Sequence, residues 1–139
     1  MASDSFEVRA IGRVESPLTD ADSAPRQGDE GAPDAWIEFG SDFLDALDGV
    51  EPGDRIVILS WLDRADRDAL TVHPRGDTSR PPAGVFATRS PHRPNPIGLH
   101  PVEVLEVAGL RVRVAGLEAL DGTPVLDVKP VLESEISER

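Results

Sequence analysis

Apolar residues along this chain recur mostly at every second position, the period of a half-buried strand, and seldom at helical spacing. Phe6, Val8 and Ala10 alternate ahead of Ser16-Pro17, so Phe6 to Val14 is predicted as a first strand, with Gly12 marking a bulge or a close backbone approach. Leu18 to Asp34 is polar and long, with Pro25-Arg26-Gln27-Gly28 at its centre, as expected of a functional or disordered loop. Ala35 to Phe39 is a short strand, and Ser41 is placed to cap a helical turn or two through Phe43, Leu44 and Leu47. Arg55 to Leu62 is the most apolar run and β-branched, hence a central buried strand in which Trp61 is expected in the core. Ala69 to His73 and Val85 to Thr88 follow as strands, the second putting Phe86 in the core. Leu99 to Val107 and Leu110 to Val114 form a predicted hairpin around Ala108-Gly109. Asp121-Gly122-Thr123-Pro124 is a strong turn ahead of Val125 to Val131, which alternates apolar and charged residues, and Glu133 to Arg139 is expected to fray. Many short strands, little helix and closely spaced Gly/Pro turns predict an all-β, β-rich barrel.

Length and composition narrow the possibilities. A chain of 139 residues fits one domain, 1–139, with its core over about 6–131. Cysteine is absent, which excludes disulfides, thiolate metal sites and a cysteine nucleophile. His73, His92 and His100 lack the paired spacing of zinc motifs, so no metal is expected. Neither a signal peptide near Met1 nor an apolar run long enough to span a bilayer is evident, and a cytoplasmic location is expected. No P-loop or Gly-rich dinucleotide fingerprint occurs, so a nucleoside cofactor would need another scaffold.

Charge adds direction. The chain carries −12 overall, with Lys129 its single lysine, a balance suited to a halophilic, high-salt cytoplasm where dense carboxylates stay hydrated. Against that background, residues 73–100 hold Arg75, Arg80, Arg89 and Arg93 with Asp77 alone opposing them. This basic island contains Gly84-Val85-Phe86-Ala87-Thr88-Arg89-Ser90-Pro91-His92-Arg93-Pro94-Asn95-Pro96-Ile97-Gly98-Leu99. Proline fixes φ and restrains the residue before it, so the loop is shaped before any ligand arrives and gives up little entropy on binding. Arginine binds carboxylates and phosphates bidentately, and an anionic ligand is the expected target; the competing reading is a structural connection whose arginines face water.

Taken together, the proline-rich loop, Pro25-Arg26-Gln27, Val72-His73-Pro74-Arg75-Gly76-Asp77 and Asp121 to Pro130 resemble the TsaA-like, or TrmO, family. That resemblance implies a small antiparallel β-barrel of about six to eight strands with a short helix, binding S-adenosylmethionine as a homodimer with the site near the subunit interface. It implies methylation of N6 of threonylcarbamoyladenosine beside the anticodon of tRNA. Carried over by position, the cofactor meets Pro25, Arg26, Gln27, Asp63, Arg64, Arg89, Leu99, Asp121, Gly122, Thr123 and Pro124. Arg75, Arg93 and Asn95 are candidates for substrate contact. Larger bacterial members carry a C-terminal extension beyond the matched segment, and Val131 stands where a tyrosine often follows Lys-Pro.

The implied chemistry asks chiefly for alignment of acceptor and methyl donor. The N6 lone pair is delocalised into the purine and the carbamoyl group, so a base or an enforced twist is needed, and Asp127 with Lys129 is the candidate catalytic pair. An ordinary surface ion pair is the competing reading of the same two residues. Trp36 could stack on a base. Two other functions fit the residues: methylation of a small nitrogenous metabolite, or a non-enzymatic S-adenosylmethionine-binding module.

Overall fold

The computed structural model describes residues 4–19 and 31–132. Its strands are β1 (Gly12–Glu15), β2 (Ala35–Phe39), β3 (Arg55–Trp61), β4 (Thr71–Val72), β5 (Ala83–Gly84), β6 (Ile97–Ala108), β7 (Arg111–Val114) and β8 (Pro124–Pro130). Six of them close into a barrel in the order β1-β2-β7-β6-β3-β8, every pairing antiparallel, while β4 and β5 form a separate ribbon. Closure matters because an open edge would leave unpaired backbone groups. The seam is β1 on β8, where Gly12 faces Val125 and Arg13 faces Pro124.

Alternation sets which side chains fill the barrel. In β3, Ile56, Ile58 and Ser60 point inward, and in β6 Gly98, His100, Val102 and Val104 do so. Of these, Ile56, Ile58, Val102 and Val104 meet Val14, Ile37, Val112, Val114, Leu117 and Val125 in one apolar cluster. Each such aliphatic side chain contributes about 1.5–3 kcal/mol relative to an exposed one. Two polar side chains, Ser60 and His100, are buried within the same interior.

Several elements differ from expectation. The first strand is short: Phe6 and Val8 are 87% and 66% exposed, because nothing in the described residues covers the face on which they alternate. Gly12 does make the close approach, since a Cβ there would sit 2.6 Å from the Glu38 carbonyl oxygen. The segment Ser41–Leu47 is a 3-10 helix entered from Gly40 with no side-chain cap from Ser41. Val85 to Thr88 is not a strand. β5 ends at Gly84 and Val85–Ala87 forms a 3-10 turn, which buries Val85 and leaves Phe86 83% exposed instead of in the core. Trp61 is half-buried on the outer wall, with the Arg67 guanidinium 5.0 Å from its ring centre. The β6–β7 hairpin turns at Gly109-Leu110, between the paired Ala108 and Arg111. Glu133 to Arg139 lies outside the described residues.

Candidate functional site

At the end of the barrel where β3 finishes and β6 begins, loops from distant parts of the chain are tied together. The 62–68 loop leaves β3 and is joined at once to the proline-rich loop, for Leu62 N donates to Pro96 O at 2.8 Å. Arg67 extends the join, donating from Nε to Pro94 O at 2.8 Å and from Nη2 to Asn95 Oδ1 at 3.2 Å. Asp66 N donates to His92 Nδ1 at 3.0 Å, which fixes that ring nitrogen as an acceptor. On the other side, Arg64 Nη1 donates to Thr19 O at 3.3 Å. The same 16–19 segment meets the predicted turn, with Ser16 N on Asp121 Oδ1 at 3.0 Å and Asp121 N on Leu18 O at 2.6 Å. Thus segments 16–19, 62–68, 89–99 and 121–124, each singled out in the sequence, form one cross-linked assembly.

Within the proline-rich loop the two arginines have different fates. Arg93 is half-buried and spends its guanidinium on the backbone: Nε donates to Ser90 O at 2.7 Å, and Nη2 donates to Val85 O at 2.8 Å and Thr88 O at 2.6 Å. These bonds make Arg93 a brace that shapes the loop. Arg89 is exposed and, among the described residues, has no hydrogen-bond or ion-pair partner. A guanidinium with no internal partner is available to a carboxylate or phosphate.

The remaining candidates fall on the turn, the ribbon and the outer wall. Gly122 takes φ +82°, which the turn requires, and its carbonyl accepts from Arg13 Nη1 at 3.0 Å. Thr123 Oγ1 donates to Leu120 O at 2.7 Å, and Thr123 and Pro124 are buried. Arg75 sits between β4 and β5 with φ 51°, the one described non-glycine residue in the left-handed region. Leu99 is 47% exposed on the outside of β6. Leu59 of β3 pairs with both Leu99 and Asp127, so those two lie two strand spacings apart, about 10 Å, on one outer face. Asp127 and Lys129 form an exposed pair at 3.4 Å, and Asp127 Oδ1 also accepts from Val128 N at 2.9 Å. Pro25, Arg26 and Gln27 lie outside the described residues.

Sequence reasoning passed over Arg67. Its partners are one backbone carbonyl and one side-chain amide nearly thirty residues away, and residue type does not encode such contacts. Ser60 and Glu118 were passed over as well, and His100 was weighed as a metal ligand, although a serine and a histidine at inward positions of apolar strands are a legible anomaly.

S-adenosylmethionine presents an ammonium, a carboxylate and an apolar-faced base, and this assembly has groups for each. Arg89 suits the carboxylate, the exposed Asp63 and Asp121 suit the ammonium, and Leu99 offers an apolar surface. Among the described residues no group of three or more His, Asp or Glu side chains is arranged to hold a metal ion, and no helix is long and apolar enough to cross a membrane.

Comparison with known proteins agrees with this reading of the fold. A "Probable S-adenosyl-L-methionine-binding protein" of Methanothermobacter thermautotrophicus is 46% identical over 128 residues, covering 92% of this chain and 91% of that one. One of the same description from Archaeoglobus fulgidus is 48% identical over 124 residues, 89% of this chain, but the chain spans only 33% of that longer relative. The crystal structure of TrmO from Pseudomonas aeruginosa superposes with a TM-score of 0.77 at 30% identity, over 95% of this chain and 58% of that one. Residues 13–135 match the model of the tRNA-methyltransferase O N-terminal domain, and the chain belongs to that family.

Proposed function

We propose that this domain is an S-adenosylmethionine-dependent methyltransferase acting in the cytoplasm on N6 of threonylcarbamoyladenosine in tRNA. The observation that carries the proposal is the cross-linked loop assembly with Arg89, unpartnered among the described residues, at its edge. Its geometry is fixed by internal hydrogen bonds, so alignment need not be paid for when ligands bind.

S-adenosylmethionine, when bound, supplies a methyl group already activated by its sulfonium. Arg89 would hold its carboxylate, while Asp63, Arg64 and the 121–124 turn, with Pro25, Arg26 and Gln27, complete the cofactor site. Leu99 and Asp127 share the outer face two strand spacings apart, so a cofactor seated against Leu99 would turn its methyl group toward a carboxylate able to take the N6 proton of the acceptor. Lys129 either steadies that carboxylate or receives the threonyl carboxylate. Arg75 and Asn95 extend the contact surface for tRNA within the basic island.

A homodimer fits the same face. Ile97 and Leu99 are 43% and 47% exposed there, flanked by Val57, Leu59 and Pro101, and a second copy covering them would also enclose Asp127 and Lys129.

A second reading, a binding module without transferase activity, draws support from the description "binding protein" shared by relatives of similar length. Incubation with methyl-labelled S-adenosylmethionine and tRNA, with or without the threonylcarbamoyl group, separates the readings. Label entering only modified tRNA supports the transferase. Cofactor retention with no transfer supports the module, and label entering a metabolite extract instead would redirect the substrate.

A further inference from the structure

Inside the barrel, directly beneath the proline-rich loop, three polar side chains form a hydrogen-bonded chain. Ser60 Oγ lies 2.7 Å from His100 Nε2, and His100 Nδ1 lies 2.5 Å from Glu118 Oε1. Ser60 is fully buried, His100 is 4% exposed and the Glu118 side chain is 16% exposed. A carboxylate oxygen only accepts, so Nδ1 carries the hydrogen, and Nε2 of the neutral ring accepts from the Ser60 hydroxyl. Among the described residues these are the imidazole's only hydrogen-bond partners. The order serine, histidine, carboxylate is that of a hydrolase triad, but a serine without solvent access reaches no substrate.

Position gives the chain its significance. Ser60 pairs across the sheet with Gly98 on one side and Val125 on the other, at the level where β8 slips register. Gly98 has no room for a side chain: a Cβ would come 2.5 Å from Ser60 Oγ and 2.7 Å from His100 Nε2. Glu118 belongs to the segment that runs into Asp121–Pro124, and His100 follows Leu99 at the exit of the proline-rich loop. The imidazole therefore spans the two segments through the barrel interior.

We propose that Ser60, His100 and Glu118 are a positioning relay for the cofactor site, setting the separation between the 117–124 segment and the strand leaving the proline-rich loop. The inference rests on the reading that those segments hold S-adenosylmethionine. A buried charge-assisted link is a stiff spacer, since breaking it strands a carboxylate or a ring nitrogen away from water.

The test uses the whole chain, S-adenosylhomocysteine as probe, calorimetry for affinity and ring NMR signals of His100 as a reporter. His100→Leu is expected to weaken binding roughly tenfold, the scale of one lost charge-assisted hydrogen bond. His100→Asn, whose amide can still reach Glu118, should recover part of that loss. In the wild type the His100 ring signals should move when the probe binds, a response that a residue with a packing role alone would not give. Should His100→Leu fail to fold, Ser60→Ala and Glu118→Gln carry the same comparison with less disruption. Wild-type binding matched by folded variants, with unmoved His100 signals, overturns the relay alone. A wild type that binds no probe overturns the cofactor reading and the relay with it.

Discussion

Arg93 Nη2 donates to the carbonyl oxygen of Val85 at 2.8 Å, so a side chain near the end of the proline-rich loop holds the backbone at its beginning. The same group reaches Thr88 O and Nε reaches Ser90 O, which makes Arg93 the internal brace of a loop whose other arginine, Arg89, stays free. Replacing the two should separate stability from binding. Arg93→Ala is expected to cost about 1–3 kcal/mol by taking the donor from the Thr88 and Ser90 carbonyls, while Val85 O keeps its bonds from Thr88. Arg89→Ala should leave the melting temperature within the scatter of a surface substitution and weaken S-adenosylmethionine binding. Thermal melts and calorimetry on both variants check this, and a stable Arg93→Ala with normal binding would contradict it.

The two crowded glycines should respond differently to alanine. At Gly12 the obstacle is the Glu38 carbonyl at 2.6 Å, backbone that can move only by parting β1 from β2. At Gly98 the obstacles are side chains, Ser60 and His100. Both variants should lose on the order of 1–3 kcal/mol by overpacking, with Gly12→Ala the worse. Ser60→Ala should restore part of the Gly98→Ala loss and none of the Gly12→Ala loss, as denaturant melts of the double variants would show.

Asp127→Asn keeps size and removes the charge. If Asp127 takes the N6 proton, transfer should fall by roughly 10²–10⁴-fold while cofactor affinity holds. Full activity in single-turnover transfer to modified tRNA would return the Asp127–Lys129 pair to an ordinary surface ion pair.

Acid titration should reveal Glu15 and Glu38 as a coupled pair on the barrel exterior. A hydrogen bond with Glu38, then one from Arg111, holds the Glu15 carboxyl below its usual 4.5. The same neighbour, through that hydrogen bond and its charge, pushes Glu38 above 4.5. Glu38's contribution to stability is present below 4.5 and is lost as pH rises through its raised value. Glu15's contribution is present above 4.5 and is lost as pH falls through its lowered value. Glu38→Gln should abolish the loss on the rising side and keep the loss on the falling side, where Arg111 Nη2 still holds Glu15 Oε2 at 2.8 Å. Melting temperatures of both proteins across this acid range test the assignment.

Salt should stabilise the fold. With a net charge of −12, screening of carboxylate repulsion is expected to raise the melting temperature as salt increases. A melting temperature that climbs on dilution would remove the high-salt habitat inferred from composition.

The strand over Arg55 to Trp61 was legible in its apolar, β-branched run, but which face turns inward was not, because Val57 and Leu59 are as apolar as Ile56 and Ile58. Turn chemistry at Asp121-Gly122 and the close approach at Gly12 were legible because they are local restrictions on φ or on Cβ space. Tertiary structure alone decided that Phe86 faces outward, that Arg93 braces while Arg89 stays free, and that Arg67 joins two loops. It also brought Ser60, His100 and Glu118 into line. Each of those outcomes depends on which distant carbonyl, hydroxyl or carboxylate the closing of the barrel happens to bring within hydrogen-bond reach. A residue's own type and near neighbours carry no record of that distance.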